Sequence, residues 1–345
     1  MLTEVSEWLR KRSWRAADRP LADLLRAKRR AGEGGSVSVV LPALNEEATV
    51  GAIVAEIRRE LMERVPLVDE LVVVDSGSTD RTGEAAAAAG AKVVHRDDIL
   101  PRLPSVPGKG EVLWRSLLAT SGEIVCFVDA DLREFTADFV SGIVGPLLTE
   151  PGVEFVKAMY DRPLETGGQA LPGGGGRVTE LVARPLLNLH WPRLAGFVQP
   201  LGGEYAARRS LLERLPFPTG YGVELGLLVD ALAEAGLDAL AQVDVGVRHH
   251  RHQDSAALGR MAAAIYWTAL ERIGTDGPPG VRAHPHLTQF ARVDADPATE
   301  PDAGPSAGAA SGMFAPYTSL IAQPERPPMA SVPEYRALRQ RRAAG

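Results

Sequence analysis

Two aspartates separated by one residue, Asp129 and Asp131, follow the apolar run at residues 124–128. The run is typical of a buried strand, and its end then carries two carboxylates, which are hard oxygen ligands suited to Mg²⁺ or Mn²⁺. A divalent cation at this position can also bind the diphosphate of a nucleotide. An isolated Asp-x-Asp also occurs in solvated turns, so other segments must decide between the two interpretations. We expect Asp131 to bind the cation and Asp129 to lie nearer a ribose or a bridging water.

Polar residues also follow two earlier apolar runs, at residues 42–47 (PALNEE) and 75–80 (DSGSTD). Either segment can be a simple strand-to-helix junction, in which a side chain such as Asn45 caps the next helix. Either can also bind a nucleotide base, with the backbone of residues 43–44 flanking a uracil ring and Glu46 accepting a hydrogen bond from base or ribose. With the aspartate pair downstream, the nucleotide-binding interpretation is favoured for both segments.

A lysine flanked by glycines, at residues 107–110 (PGKG), opens a predicted helix. Glycine lets a backbone approach a ligand closely, and helix N-termini favour anions. Lys109 is therefore a candidate to neutralise a phosphate or to bind a sugar hydroxyl. The alternative is a surface turn, because the segment lacks the spacing of the GxxxxGK[ST] phosphate-binding loop.

The second half of the chain carries further candidates. A glycine run precedes Arg177 and Thr179 at a predicted helix start, a combination that suits a phosphate or a carboxylate unless it is only a hinge. Glu224 opens an apolar helix, where it can bind sugar hydroxyls or simply favour the helix N-terminus. The cluster RHHRH at residues 248–252 is either a solvated basic loop or the source of a second cation ligand, for which His250 is the candidate.

Strands and helices alternate in the first half, which predicts parallel strand pairing through right-handed crossovers and hence a doubly wound sheet. In such sheets ligands bind beyond the carboxyl ends of the strands, where PALNEE, DSGSTD and the aspartate pair all lie. The pattern is less regular after residue 150. The predicted strands are residues 36–41, 70–74, 92–94, 123–128, 153–159 and 237–245, and the predicted helices are residues 47–64, 82–90, 110–120, 177–189, 221–235 and 255–273.

The 345 residues are enough for one large α/β domain with an appended part. A net charge of −6 argues against a protein that binds nucleic acid by neutralising its phosphates. No segment reaches the ~20 apolar residues of a membrane span, and the N-terminus lacks the apolar core of a signal peptide. The single cysteine, Cys126, lies in an apolar strand, so we expect a cytoplasmic protein without disulfides. We divide the chain into an N-terminal helical extension (1–35), a nucleotide-sugar-binding half (36–150), an acceptor-binding half of the same catalytic domain (151–274) and a partly disordered Pro-, Gly- and Ala-rich tail (275–345).

The order strand-PALNEE, strand-DSGSTD, strand-DAD is typical of nucleotide-sugar transferases. Over roughly residues 36–270 the chain closely resembles the retaining glucosyl-3-phosphoglycerate synthases of actinobacteria, through VSVVLPALNEEATV, ELVVVDSGSTDRT, VPGKGEVLWRSLLATSGEIV, FVDADL, GGGRVTELVARPLL, QPLGGEYAARR, GYGVELGLLVD and AQVDVGVRHHRH. The resemblance implies a GT-A-type nucleotide-diphosphosugar transferase fold, with a Rossmann-like, mostly parallel sheet and a helical acceptor-binding C-terminal part. It also implies a homodimer and the cofactor Mg²⁺ or Mn²⁺. The implied reaction is metal-assisted transfer of glucose from UDP-glucose to the 2-hydroxyl of D-3-phosphoglycerate with retention, the first step toward methylglucose lipopolysaccharides.

The resemblance further implies roles for individual residues. The metal would be bound by Asp131 and His250, and 3-phosphoglycerate by Gly176, Arg177 and Thr179. The catalytic set would be Asp131, Lys109, Glu224 and Arg248. UDP-glucose would be surrounded by Pro42, Ala43, Leu44, Glu46, Ser76, Lys109, Asp129, Ala130, Leu201, Tyr221, Gly222, Glu224 and Arg248. Ala130 stands where the family commonly has serine, and the neighbouring His249 leaves open which of the two histidines faces the metal.

Other functions stay open at this point. Retention commonly indicates two displacements through a covalent carboxylate, for which Glu224 is the candidate. We favour attack on the same face of the sugar, in which the departing phosphate oxygen accepts the proton of the acceptor. The donor can instead be GDP-mannose, or the acceptor glycerate, as in related mannosylglycerate-type synthases. A non-catalytic nucleotide-sugar-binding regulator is the alternative from a different functional class.

Overall fold

The computed structural model describes residues 1–166, 169–171, 176–248, 254–274, 284–292 and 314–344. Within these residues the central feature is an eight-stranded, mostly parallel sheet with helices packed on both faces. The strands are β1 (Ser13–Arg15), β2 (Val37–Ala43), β3 (Glu70–Asp75), β4 (Lys92–His95), β5 (Ile124–Phe127), β6 (Phe155–Asp161), β7 (Leu164–Thr166), β8 (Gln169–Leu171), β9 (Tyr205–Arg208), β10 (Phe217–Pro218), β11 (Leu240–Val247), β12 (His286–Arg292), β13 (Phe314–Leu320) and β14 (Glu325–Arg326).

The predicted helices are present with local differences, whereas the helices Asp138–Thr149 and Pro333–Ala344 were not predicted. The predicted helix at residues 47–64 begins later, at Val50, and ends in a π-helical turn, Arg59–Arg64. The predicted helix at residues 177–189 contains another such turn, Thr179–Ala183. The helices are α1 (Thr3–Arg12), α2 (Leu21–Ala31), α3 (Val50–Arg58), α4 (Thr82–Ala88), α5 (Lys109–Ala119), α6 (Asp138–Thr149), α7 (Arg184–His190), α8 (Arg209–Leu212), α9 (Val223–Ala235), α10 (Ser255–Ile273) and α11 (Pro333–Ala344).

The central sheet has the strand order β1-β11-β6-β9-β5-β2-β3-β4. Neighbouring strands pair in parallel, except that β9 is antiparallel to both β5 and β6. The doubly wound α/β fold predicted from the sequence is therefore confirmed. The N-terminal extension also contributes a strand, because β1 pairs with β11 at one edge of the sheet. Only helices were predicted there.

Two apolar clusters cover the two faces of the sheet. Side chains alternate between the faces along a strand, and β5 illustrates the rule. Its residues Val125 and Phe127 pack with α5 and α9, whereas Ile124 and Cys126 pack with α3 and α6. Burial raises the pKa of the Cys126 thiol, which fits a core side chain and not a reactive one.

The described residues of the C-terminal segment are folded onto the domain. Strands β12 and β13 form an antiparallel hairpin, and β14 pairs with β10. Met329 and Tyr335 are fully buried in the same cluster as Trp114. These residues belong to the hydrophobic core, which the Pro-, Gly- and Ala-rich composition of the segment did not predict. In the part of the chain that the structure describes, no helix has the length and apolar character to cross a bilayer.

Candidate active site

A cavity of about 850 Å³ opens at the carboxyl edge of β2, β3 and β5. Most of the site residues predicted from the sequence line it: Pro42, Ala43, Leu44, Glu46, Ser76, Lys109, Asp129, Ala130, Asp131, Gly176, Arg177, Thr179, Leu201, Tyr221, Glu224 and Arg248. Gly222 does not line it, because Gly222 packs against Thr268, whose hydroxyl a Cβ at this glycine would overlap. His249 and His250 lie outside the described residues, so the second metal ligand stays a prediction.

The PALNEE and DSGSTD segments form a pair of interlocked loops. The side-chain oxygen of Asn45 accepts a hydrogen bond from the backbone N of Thr79 (2.8 Å), and the Asn45 backbone N donates to Ser78 Oγ (3.0 Å). The backbone N of Glu46 donates to Thr82 Oγ1 (2.7 Å). Asn45 therefore does not cap the following helix. It joins two strand ends, and its φ of 58° is a conformation that asparagine tolerates.

Asp75 closes its own turn. Its Oδ1 atom accepts hydrogen bonds from the backbone N of Ser78 (2.9 Å) and from Ser78 Oγ (2.7 Å). This oxygen is therefore engaged within the loop. Ser76 lines the cavity beside it, and its backbone N donates to Ala43 O (2.9 Å), so the two loops present their backbones to the same space.

The glycines of PGKG serve a different purpose from the one expected. Gly108 has a φ of 127°, and a Cβ on Gly108 or on Gly110 would overlap the carbonyl oxygens of Thr219 and Pro218. The two glycines thus bring the start of α5 against the turn before α9. The two glycines therefore approach another segment of the protein and not a ligand. This contact fixes the backbone at Lys109, whose side chain extends into the cavity.

Asp129 lies between two cations at the floor of the cavity. Its Oδ1 atom pairs with the Lys109 ammonium, and its Oδ2 atom accepts from Arg248 Nη2 (2.9 Å). Lys109 Nζ also lies 2.8 Å from Glu224 Oε1. A Cβ at Gly203 would overlap both Asp129 and Lys109, so the absence of a side chain at Gly203 makes room for this ion pair.

The neighbouring charges hold this network ionised. Burial alone would raise the pKa of Asp129, but Lys109 and Arg248 lower it to about 2. Burial would likewise lower the pKa of Lys109, but Asp129 and Glu224 raise it well above its usual value. The pKa of Asp131, in contrast, is raised by burial and by the charge of Asp129. The carboxylate of Asp131 thus lies where added positive charge would be stabilised.

Two residues that sequence reasoning missed hold Arg248 in place. Glu204 is fully buried, and its Oε1 atom accepts from Arg248 Nε (3.0 Å) while its Oε2 atom accepts from the Tyr160 hydroxyl (2.8 Å). Arg248 Nη2 is thereby directed toward both aspartates, at 2.9 Å from Asp129 and 3.3 Å from Asp131. No local sequence signal identifies Glu204, because it precedes β9 and meets Arg248 only in the folded sheet.

The donor set at Asp131 fits a divalent cation such as Mg²⁺ or Mn²⁺. Its carboxylate is a hard oxygen ligand, it faces the cavity, and it is the less compensated member of the aspartate pair. Among residues 1–166, 169–171, 176–248, 254–274, 284–292 and 314–344, no group of three His, Cys, Asp or Glu side chains could hold a metal alone. Such an ion keeps several waters and takes phosphate oxygens, so one or two protein ligands suffice.

Ala130, between the two aspartates, has two roles in the structure. Its methyl group is buried in the apolar cluster under α3, and its carbonyl oxygen accepts from Thr49 Oγ1 (2.6 Å). The alanine therefore fixes the backbone between the two carboxylates through its carbonyl, which any residue would supply.

Three further segments of the chain line the cavity. Gly176, Arg177 and Thr179 come from the segment before α7, and Thr179 is almost fully buried. Leu258, Met261 and Ile265 come from α10, and Gln323 comes from the segment before β14. None of these last four residues was predicted, because apolar helix positions and an isolated glutamine carry no chemical signature in a sequence.

Comparison with known proteins places the chain among glycosyltransferases. The family model for glycosyl transferase family 2 matches residues 38–168. The glucosyl-3-phosphoglycerate synthase of Mycolicibacterium smegmatis is 49% identical over 326 residues, which cover 94% of this chain and 98% of that protein. The similarity therefore extends beyond the residues 36–270 on which the resemblance was based.

Solved structures agree with this placement. Crystal structures of glucosyl-3-phosphoglycerate synthase from Mycobacterium tuberculosis contain Mn²⁺, UDP-glucose and phosphoglyceric acid (TM-score 0.73, 46% identity, 90% of this chain and 94% of that chain covered). Another contains Mg²⁺ and UDP (TM-score 0.75, 45% identity, coverage 92% and 98%). Mannosyl-3-phosphoglycerate synthase from Rubrobacter xylanophilus superposes with a TM-score of 0.81 at 39% identity, covering 94% of this chain and 97% of that one.

Proposed function

The chain belongs to the glucosyl-3-phosphoglycerate synthases, and we propose that it transfers glucose from UDP-glucose to the 2-hydroxyl of D-3-phosphoglycerate with retention of configuration. The observation that carries the proposal is the cavity at the sheet edge, in which Lys109 and Arg248 flank the carboxylates of Asp129 and Asp131. This arrangement suits a nucleotide diphosphate bound together with a divalent cation.

We propose that the donor lies along the sheet edge. The interlocked loops would hold uridine, through Pro42, Ala43, Leu44, Glu46 and Ser76. Lys109 and Arg248 would contact the diphosphate, and Leu201, Tyr221 and Glu224 would surround the glucose. Glu204 and Tyr160 would position Arg248, because Glu204 accepts from Arg248 Nε and the Tyr160 hydroxyl donates to Glu204.

Asp131, with His250 as the proposed second ligand, would hold Mg²⁺ or Mn²⁺. When bound, the ion acts as a Lewis acid that stabilises the negative charge of the departing UDP. Lys109 and Arg248 add fixed positive charge at the same place, so the developing charge meets groups that need no reorganisation.

In the proposed reaction, the bond between C1 of glucose and the β-phosphate oxygen of UDP breaks. A bond forms between C1 and the 2-hydroxyl oxygen of 3-phosphoglycerate, and the hydroxyl proton passes to the departing phosphate oxygen. Glu224 is almost fully buried, and its Oε1 atom lies 2.8 Å from the Lys109 ammonium. A carboxylate engaged in this way is a weak nucleophile, which supports same-face attack over a covalent intermediate on Glu224. Trapping a glucosyl adduct on Glu224 would contradict this route.

The acceptor would bind opposite the donor, at Gly176, Arg177 and Thr179. These residues line the cavity and combine backbone N–H groups, a guanidinium and a hydroxyl. That combination recognises both the phosphate and the carboxylate of 3-phosphoglycerate. Same-face attack requires that the acceptor bound there direct its 2-hydroxyl toward the α face of the sugar.

The decisive experiment identifies the product. The purified protein is incubated with Mg²⁺ and each pairing of UDP-glucose or GDP-mannose with 3-phosphoglycerate or glycerate, and the product is analysed by mass spectrometry and by NMR of the anomeric proton. We expect α-linked glucosyl-3-phosphoglycerate as the main product. Mannosyl transfer is the second candidate, because the mannosyl-3-phosphoglycerate synthase superposes well on this chain. Preferential transfer from GDP-mannose would establish that candidate, and release of no nucleotide from any pair would indicate a non-catalytic binding protein.

We also propose that the protein is a cytoplasmic homodimer. The hairpin β12–β13 exposes Phe290 and Leu320, each with 64% of its surface accessible, and a two-stranded ribbon alone is marginally stable in water. Light scattering of the purified protein tests the dimer, and a Phe290→Asp, Leu320→Asp double variant should shift it toward monomer. A monomeric parent protein would contradict the proposal.

A further inference from the structure

We propose that Gln323, in the C-terminal segment, selects the sugar of the donor through hydrogen bonds from its side-chain amide to hydroxyls of the transferred hexose. The inference rests on the proposed function, which it deepens by naming a residue that recognises the sugar. Gln323 lines the same cavity as Tyr221 and Glu224, although it lies far from both along the chain.

The amide of Gln323 lies at the sugar end of the cavity. It packs directly on Gly220, where a Cβ would overlap both polar atoms of the amide. Gly220 precedes Tyr221 and lies four residues before Glu224, the two side chains proposed to surround the glucose. The uridine loops are formed by other segments, residues 42–47 and 75–80. Gln323 is therefore placed to contact the hexose and not the base.

An amide suits this position chemically. Glu224 only accepts hydrogen bonds and Lys109 only donates them, whereas a glutamine amide does both. A sugar hydroxyl also donates and accepts. Epimers differ in the direction of one hydroxyl, and this direction decides whether the hydroxyl reaches the donor or the acceptor atom of the amide. Among the described residues that line the cavity, Gln323 is the only one with a side-chain amide. Being uncharged, it can recognise hydroxyls without changing the balance of charge around the diphosphate.

The backbone next to Gln323 is held rigidly. The carbonyl oxygen of Pro324 accepts from the Thr219 backbone N (3.2 Å) and from Thr219 Oγ1 (2.7 Å). Glu325 then pairs with Arg272 of α10 (2.6 Å). On the other side of Gln323, the backbone N of Ile321 (2.9 Å) and that of Ala322 (3.3 Å) donate to Pro285 O. A residue whose backbone is fixed on both sides can discriminate between sugars, because a flexible side chain on a mobile segment would adapt to either.

The same segment is tied to the helix that carries Lys109. Arg326 donates to both carboxylate oxygens of the fully buried Glu111, at 2.6 and 2.9 Å, and Trp114 Nε1 donates to Pro327 O at 2.8 Å. Glu111 and Trp114 belong to α5, which begins at Lys109. Gln323 and the catalytic lysine therefore share one rigid support, so their separation across the sugar is fixed.

The test uses the full-length protein and two variants of nearly the same size. Gln323→Met keeps the length of the side chain but removes its hydrogen bonds, and Gln323→Glu keeps an acceptor but loses both donors. Gln340→Met, which removes an exposed amide on α11, is the matched control. For each protein, kcat/KM is measured with UDP-glucose and with UDP-galactose, its C4 epimer, and the Kd of UDP is measured by calorimetry. Thermal melting verifies that each variant is folded.

We expect Gln323→Met to lower kcat/KM for UDP-glucose about tenfold and to narrow the preference over UDP-galactose, since one or two hydrogen bonds are lost. The Kd of UDP should stay within about twofold of the parent value, because UDP lacks the hexose. Gln323→Glu should also lose selectivity, and Gln340→Met should behave like the parent protein.

Two results would overturn the inference alone. One is an unchanged donor preference in both Gln323 variants. The other is an equal loss of affinity for UDP, which would mean that Gln323 only supports the wall of the cavity. If the parent protein transfers no sugar, the proposed function fails instead. In that case the Kd of UDP-glucose is measured as well, and the Kd of UDP divided by the Kd of UDP-glucose gives the affinity that the hexose adds. This ratio still tests the amide, because it should fall only in the Gln323 variants.

Discussion

The loops at the carboxyl edge of the sheet and the remaining wall of the cavity are built in opposite ways. The edge consists of short runs that directly follow β2, β3 and β5, and its residues are neighbours in the sequence. The remaining wall brings together residues from separate segments, among them Arg248 and Gln323, and Arg248 is held by Glu204, which precedes β9. The edge therefore depends on local strand ends, whereas the wall depends on the assembled fold.

The largest effect is expected at the edge, from Asp131→Asn. The substitution keeps the shape of the side chain but removes the charge that would bind the cation, so kcat should fall about 10³-fold. Melting temperature should change little, because Asp131 lies at the cavity and not in the core. Steady-state kinetics over a Mg²⁺ titration measures the effect, and Asp238→Asn at an exposed position is the control. Parent-like metal dependence in Asp131→Asn would exclude the aspartate as a metal ligand.

The next largest effect is expected in the support of the wall, from Met329→Ala. Met329 is fully buried, so its truncation should lower the free energy of unfolding by about 2–5 kcal/mol. Leu189→Ala, at a helix position that is 77% exposed, should cost less than about 0.5 kcal/mol and is the matched control. Urea unfolding followed by fluorescence gives both values. Similar losses in the two variants would mean that residues 321–344 do not belong to the core.

A smaller loss of activity is expected when the hydrogen bonds that position Arg248 are weakened. Glu204→Gln weakens the charged hydrogen bond to Arg248 Nε, so kcat should fall about 100-fold while KM for 3-phosphoglycerate changes little. Tyr160→Phe removes only the hydroxyl that donates to Glu204, so its effect should have the same pattern and be about threefold. An increase in KM without a decrease in kcat would argue against a positioning role for Glu204.

The smallest effect concerns the pH dependence of stability. Lys157 is buried on β6, donates to Gly202 O (2.8 Å), and burial lowers its pKa from 10.5 to about 8. Between these two values the unfolded chain binds more protons than the folded protein, so Lys157 should make stability rise with pH in this window and have a constant effect below pH 8. The parent protein should therefore gain about 2 kcal/mol relative to Lys157→Met between pH 7 and pH 10. If the free energies of unfolding of the parent protein and of Lys157→Met differ by the same amount at pH 7 and at pH 10, the pKa of Lys157 is not lowered.

The same contrast explains how far the sequence alone could lead. The alternation of apolar runs predicted the parallel sheet. Glu46, Asp129 and Asp131 were predicted as site residues because they directly follow apolar runs, and they line the cavity. Strands β1 and β9 were not predicted, because they have only three and four residues. So short a strand shows no recognisable alternation of apolar and polar residues in the sequence. Glu204 and Gln323 could not be identified, since their importance depends on partners that only the fold supplies.

Asn45 and the glycines of PGKG show a second limit of sequence reasoning. From residue type, Asn45 was considered as a helix cap, and the glycines were considered as a close approach to a ligand. In the structure, Asn45 joins two loops, and Gly108 makes room for the Thr219 carbonyl. In each case the residue type was informative about backbone conformation, but the contacting group came from a distant segment.

The hydrogen bond from Trp114 to the Pro327 carbonyl joins residues 213 positions apart, and Arg102 pairs with Glu334 across 232 positions. Trp114 is synthesised long before the C-terminal residues that pack on it. Until those residues are made, the nascent chain exposes the Trp114 side chain and has an incomplete cavity. The cavity wall that includes Gln323 is therefore completed only after residues 321–344 have been synthesised and have docked. Chaperone dependence during expression would follow from that delay.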